Sequence, residues 1–295
     1  MKRRGRDTVE ASRTTRWGLM CVLTVALLAR LYVAWQPIPL LLKLNLSDDS
    51  FYYYVTAHYV VHQGTSTFDG MALNNGYHPL WLLVTLPFFV GQALGADLPI
   101  HLNLSLAALL DVLTCYILYR IATRLAGQPG AGLVAASFHA VNIVGVLQAI
   151  NGLETALAGL LAAACWWVAL NLTQSASARQ ATGWGVLLGL MLLARTDYLF
   201  LAVSLGLYLI LRWGQAGWKI ALTAAPISLA TIAPWLVWNQ MQFGSIMQVS
   251  GVAVPYAIHQ RHLMVYGPGL GVWAFGALLR LLDPTCLLYT SDAAD

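Results

Sequence analysis

Long apolar runs separated by short polar connections dominate the pattern along this chain. A helix needs about 17 to 25 apolar residues to cross a bilayer, and it satisfies its own backbone hydrogen bonds. Apolar runs occur at residues 17–36, 79–95, 100–119, 131–150, 153–171, 183–195, 198–212, 218–238 and 263–282. The pattern therefore predicts an all-α fold, a polytopic bundle of membrane helices.

Composition supports this prediction. The chain has 295 residues, of which 59% are hydrophobic and 9% are charged, whereas soluble domains carry about 25% charged residues. The four cysteines have no spacing typical of disulfides or metal sites. The sequence contains no phosphate-binding glycine loop and no nucleophile elbow, so nucleotide-driven chemistry is disfavoured. Nothing in it indicates a nucleic-acid partner.

The positions of basic residues set the expected topology. Residues 1–16 contain six of them and predict a cytoplasmic arm. If all nine runs crossed the membrane, the later basic connections, at 120–124, 179 and 212–219, would lie outside. The weakest run is 79–95, which is short and interrupted by proline and glycine. We therefore expect about eight spans, with 79–95 as a shallow helix that does not cross.

This topology gathers the unusual polar segments on the outer face. They are a long first loop at 36–78, the turns at 151–154 and 195–197, and a later loop at 239–262. Within the first loop, Ser47 is expected to cap a short aromatic helix over 48–62. We expect one membrane domain over 17–282. Residues 286–295 look like translated adapter sequence, so we expect a non-native tail on an N-terminal fragment.

Two adjacent acids, Asp48 and Asp49, open the long first loop in the stretch LNLSDDSFYYYV. Acids in the first turn of a helix complement its macrodipole, by roughly 0.3 to 1 kcal/mol. Alternatively, a carboxylate at a water-filled cleft can act as a general base while its neighbour orients it. Both interpretations remain open on the residues alone.

Further polar residues fall on the same predicted face. His78 follows an Asn-Gly turn in NNGYHPLW and can bind phosphate or a metal. Glu154 lies at the start of an apolar span, where a charged side chain is costly and therefore indicates a functional site. Arg195 and Asp197 either form a mutual salt bridge or leave the arginine to hold an anionic ligand. Arg261 belongs to a basic patch that is either a solvated rim or a contact to a lipid headgroup.

The order and sidedness of these motifs resemble the GT-C superfamily of membrane glycosyltransferases, which includes protein O-mannosyltransferases and aminoarabinose transferases. The resemblance implies that Asp48 is the catalytic base and Asp49 its acidic neighbour. It implies that Glu154 supports the first acid or a metal. The donor phosphate and substrate would be held by a further set of residues: Arg195, His78, Tyr52, Asp197 and Arg261. His78 and Pro79 look like the family's HPPL element, although Leu80 replaces its second proline.

The resemblance also implies a reaction. A sugar would move from a polyprenyl-phosphate donor to a lipid, glycan or protein acceptor, with inversion, at the outer face of a prokaryotic plasma membrane. Members of the superfamily differ in their need for a divalent cation, so that cofactor stays open. The alternatives are a transporter or lipid flippase, which would place Glu154, Arg195 and Asp197 in a relay, and a non-catalytic membrane subunit.

Overall fold

A computed structural model gives the fold and describes residues 13–249. Over that range the chain is helical apart from its connections and one isolated β-bridge between Thr67 and Leu73. The α-helices are α1 Arg13–Ala34, α2 Ile38–Leu44, α3 Ser50–Gln63, α4 Pro79–Thr85, α5 Asp97–Ala126, α6 Pro129–Val141, α7 Ile143–Ala149, α8 Thr155–Asn171, α9 Ala178–Ala194, α10 Leu199–Trp213 and α11 Gln215–Phe243. Two 3₁₀ helices cover Leu86–Phe89 and Thr196–Tyr198. The predicted all-α fold is confirmed.

The expected count of about eight spans is not confirmed. Among the described residues, four helical segments are long and apolar enough to cross a membrane, namely α1, α5, Thr196–Trp213 and α11. Helices α6 and α7 make a fifth if the bent pair is one span. Helix α8 is apolar but has only 17 residues. The predicted span at 263–282, the arm at 1–12, most of the loop at 239–262, Arg261 and the tail at 286–295 lie outside the described residues.

The expected single helix over 131–150 is broken. Helices α6 and α7 meet at Asn142 with a bend of 66°. The Asn142 side chain accepts a hydrogen bond from the backbone N–H of Gly145 at 3.1 Å, so it caps the start of α7. An asparagine side chain that bonds to nearby backbone offers an alternative to a continuous helix.

The segment predicted as a shallow helix is short. Its helical part, Pro79–Phe89, has 11 residues, or about 16 Å at 1.5 Å per residue, against a hydrocarbon core of about 30 Å. Trp81, Leu82 and Phe89 are buried in the largest apolar cluster, with side chains from α3 and α5. This segment therefore packs inside the protein and holds His78 at the start of α4.

The predicted helix over 48–62 corresponds to α3. Ser47 has only part of the expected role, because its hydroxyl accepts from the Asp49 N–H at 3.3 Å and the α-helix itself begins later, at Ser50. On the inner side of α3, the Tyr54 hydroxyl donates to Asn103 of α5 at 3.3 Å. Asn103 in turn donates to Thr85 of α4 at 2.8 Å, so one buried amide joins three helices.

Glycines bring α9 and α11 close together. A Cβ atom added at Gly185 would lie 2.6 Å from the carbonyl oxygen of Ala224, and one added at Gly189 would lie 2.5 Å from Thr231. Small residues at a helix interface allow such backbone approach in membrane proteins. This contact fixes the end of α9, where Arg195 follows.

Candidate functional site

A cavity of about 510 Å³ opens where α3, α4, α8 and α9 begin or end. Its lining residues are Asp49, Tyr52, Tyr53, Asn74, Gly76, Tyr77, His78, Leu153, Glu154, Arg195 and Val249. The cavity therefore brings together five residues selected from the sequence, which come from segments far apart along the chain.

Glu154 is the buried centre of this arrangement. Its carboxylate accepts from the Tyr53 hydroxyl at 2.7 Å and from Arg195 Nη1 at 2.9 Å. His78 Nε2 lies 3.7 Å from the same carboxylate. We call Tyr53, His78, Glu154, Arg195 and Asp197 the cavity cluster.

The turn that carries Glu154 is pressed against the start of α3. Gly152 has φ +81°, and a Cβ atom there would lie 2.6 Å from the Ser50 Cβ. Trp81 Nε1 donates to the Gly152 carbonyl at 3.1 Å, and the Ser47 N–H donates to the Asn151 carbonyl at 3.1 Å. Only glycine permits this backbone conformation and approach without strain. The acid pair and Glu154 are thereby held next to each other.

Arg195 is paired with two carboxylates. Its Nε and Nη2 donate to Asp197 at 3.0 and 2.9 Å, and its Nη1 donates to Glu154. The hydrogen bonds that Arg195 donates to Asp197 raise the pKa of the guanidinium. A guanidinium has five N–H donors. The bonds to described residues use three, so two can serve a ligand.

The two adjacent acids have different surroundings. Asp48 Oδ1 accepts from the Asp49 N–H at 3.0 Å and from the Ser47 hydroxyl at 3.4 Å, so it bonds to its two chain neighbours just before α3. Asp48 is not among the residues that line the cavity, whereas Asp49 is. Partial burial, and then the charges of Asp48 and Glu154, raise the pKa of Asp49.

The His78 side chain lines the cavity and is 15% exposed. Burial is the main cause that lowers its pKa, despite the nearby carboxylate of Glu154. The backbone N–H of His78 donates to the Tyr53 hydroxyl at 3.1 Å. Its Nδ1 atom is buried and has no hydrogen-bond partner among the described residues. Hydrogen-bonding capacity of the imidazole is therefore unused among the described residues.

The remaining predicted site residues are an exposed lining residue, a residue beside the cavity and one outside the described range. Tyr52 is 44% exposed, and its ring lies 4.7 Å from that of Phe68. Asp197 lies beside the cavity through its pairing with Arg195. Arg261 lies outside residues 13–249.

Asn75 does more than form the expected turn. Its amide donates to Asn239 of α11 at 3.1 Å, and its oxygen accepts from the Val249 N–H at 3.0 Å. Both asparagines are fully buried. They attach the first loop to the end of α11, beside the cavity.

The side chains around the cavity do not fit a metal site on their own. Within the described residues, no group of three His, Cys, Asp or Glu side chains could hold a metal ion. The predicted ligand set of Asp48, Asp49, Glu154 and His78 is thus not assembled as such a group.

Sequence reasoning missed several residues. Tyr53 was treated only as part of an aromatic helix, although it bonds to Glu154. Sequence reasoning also missed Arg30, Asp111 and His139, which lie in α1, α5 and α6. We call them the buried triad after the buried Arg30 and Asp111; the His139 side chain is 23% exposed. Charged side chains inside apolar runs are costly and indicate a partner. That signal was present in the sequence.

Residues 101–238 match the model of a family described as dolichyl-phosphate-mannose-protein mannosyltransferase. This match confirms the expected likeness to GT-C membrane glycosyltransferases. It covers Glu154, Arg195 and Asp197 but not the acid pair or His78. A search of curated proteins found no match.

Proposed function

We propose that this chain transfers a sugar from a polyprenyl-phosphate donor to an acceptor at the outer face of a prokaryotic plasma membrane. The acceptor is a hydroxyl or amine of a lipid, glycan or protein. The family match supports the reaction class. The single observation that carries the proposal is one cavity lined by Asp49, Glu154 and Arg195.

We assign the general base to Asp49 and a supporting role to Asp48. The family resemblance favours Asp48, but Asp49 lines the cavity and Asp48 bonds to the start of the helix. Asp49 accepts the proton of the acceptor as the acceptor oxygen or nitrogen bonds to the anomeric carbon. The bond from that carbon to the phosphate oxygen breaks on the opposite face, which inverts the configuration.

Arg195 stabilises the leaving phosphate. Charge develops on the phosphate oxygen as its bond to the sugar breaks, and preorganised donors aimed at such charge lower the barrier. The two remaining N–H groups of Arg195 can reach one phosphate, because Asp197 and Glu154 already fix the orientation of its guanidinium.

A further cation would favour the binding of a phosphate at this site. The carboxylates of Glu154 and Asp197 outnumber the single guanidinium of Arg195, and like charges disfavour an incoming phosphate. We propose that Arg261 supplies this positive charge.

The test compares two neighbouring acids in the full chain, reconstituted in membranes with polyprenyl-phosphate mannose. We expect Asp49→Asn to lower the rate of sugar transfer by about 100-fold or more, because a general base contributes 10²–10⁴. Asp48→Asn is the matched control and should lower it less. The reverse order would return the base role to Asp48. Full activity in both variants would overturn the proposed function.

A further inference from the structure

The buried triad ties three helices together away from the cavity. Arg30 of α1 is fully buried, and its Nε lies 2.5 Å from Asp111 Oδ2 of α5. His139 Nε2 of α6 lies 3.1 Å from the same carboxylate oxygen. A buried ion pair contributes little net stability compared with apolar residues. Stability alone therefore does not account for the triad.

Arg30 also bonds to the end of helix α6. Its Nη1 donates to the Ala140 carbonyl at 3.2 Å, and its Nη2 donates to the His139 carbonyl at 3.3 Å. The last four carbonyls of a helix have no partner within it. The guanidinium therefore caps the C-terminal end of α6, directly before the break at Asn142.

Helix α7 leads from that break to the cavity. Its last carbonyls are also bonded by a side chain, because Asn45 Nδ2 donates to Leu147 at 2.8 Å and to Ile150 at 2.7 Å. The turn that follows carries Glu154. The α7 segment is thus fixed at both ends. Arg30 holds the end of α6 from which α7 starts, and Asn45, which precedes the acid pair, holds the end of α7.

We propose that Arg30 is a positioning residue for Glu154. By capping α6 it fixes the position and angle of the α6–α7 break, and the break determines where α7 delivers the turn at 151–154. Asp111 holds the guanidinium in place and balances its charge. Arg30 touches no substrate in this role. The effect on sugar transfer rests on the proposed function, but the effect on α7 does not.

The main experiment removes the ion pair without leaving a charge. In the full chain in nanodiscs, Arg30→Met combined with Asp111→Leu should keep the bundle folded, because apolar replacement of a buried pair is tolerated. We expect backbone amides of α7 to exchange hydrogen about tenfold faster, since two capping bonds are lost. Amides of α9 should be unchanged. The rate of sugar transfer at saturating donor should fall by a similar factor.

Cys115→Ala is the matched control, because the Cys115 thiol donates to the Ala136 carbonyl of α6, away from its end. It should leave α7 exchange unchanged. If the double variant does not fold, Arg30→Lys replaces it and should give a smaller increase in α7 exchange. Unchanged α7 exchange, or an equal increase in every helix, would overturn the proposal. A wild-type chain without transfer activity would overturn the proposed function, and hydrogen exchange would still decide the role of Arg30.

Discussion

The cavity cluster and the buried triad use the same kinds of side chain in different ways. Each has an arginine, a histidine and a buried carboxylate. In the cavity cluster the Arg195 side chain is 33% exposed and makes three hydrogen bonds to carboxylates. In the buried triad Arg30 is fully buried and makes four hydrogen bonds, three of them to backbone carbonyls.

The two arginines differ in the number of N–H groups that remain to bind a ligand. Counting bonds to residues 13–249, Arg195 keeps two N–H groups next to a cavity, so it can bind an anion. Arg30 keeps one donor and has no room around it, so its charge serves the fold. An arginine with a carboxylate partner is therefore not in itself a sign of a binding site. The number of remaining donors and the adjoining space decide its role.

The largest expected effect is on the free energy of unfolding when each arginine loses its carboxylate partner, Asp111 for Arg30 and Asp197 for Arg195. Asp111→Leu leaves Arg30 buried without a counter-charge, so the free energy of unfolding should fall by about 3 to 5 kcal/mol. Asp197→Leu removes a side chain that is 57% exposed, so it should cost at most about 1 kcal/mol. Thermal unfolding of both variants in one detergent measures the difference. Equal losses would contradict the comparison.

An intermediate effect is expected on the KM for the polyprenyl-phosphate sugar donor, which should depend on Arg195 and not on Arg30. Arg195→Lys removes the forked donor geometry that suits a phosphate, so KM for the polyprenyl-phosphate donor should rise about tenfold. Arg30→Lys should leave that KM within about twofold, because Arg30 contacts no substrate in the proposed site. A rise of equal size in both variants would show that the triad also takes part in donor binding.

The smallest expected effect is a shift in pH dependence. Burial and neighbouring carboxylates raise the pKa of Asp49, and a general base works only when deprotonated, so kcat/KM should fall as pH falls through that pKa. Asp48→Asn removes one charge that raises the pKa, so the acid limb should move to lower pH. Asp197→Asn is the control, and its profile should stay in place. An acid limb that stays fixed in Asp48→Asn would argue against Asp49 as the titrating base.

Much of the fold was predictable from apolar runs. The runs at 17–36, 100–119 and 218–238 each lie largely within one long helix, because helix formation in a membrane depends on local apolar length. The break inside 131–150 was not predicted. It depends on the Asn142 side chain and on a cap from Arg30, which is 110 residues away from Ala140. The local pattern of apolar and polar residues cannot identify a partner that lies so far away in the sequence.

The candidate site was predictable in part. Glu154 and Arg195 stand out because charge is rare in this chain, and the structure places both in the lining of one cavity with His78. The sequence could not predict which of Asp48 and Asp49 lines the cavity, because two adjacent aspartates have the same local sequence context. Tyr53 was missed because its polar tip matters only once Glu154 approaches it.

The bond between Asn75 and Asn239 has a consequence for the order of assembly. The two residues are 164 positions apart, so during synthesis the first loop must wait for eight further α-helices, α4 to α11, before its partner exists. Contacts of such separation form late, since a long loop must close first. The cavity wall at Asn74–His78 is therefore completed only after α11 has entered the bundle. Until then the first loop lacks its bond to α11, so the wall of the cavity on that side is formed last.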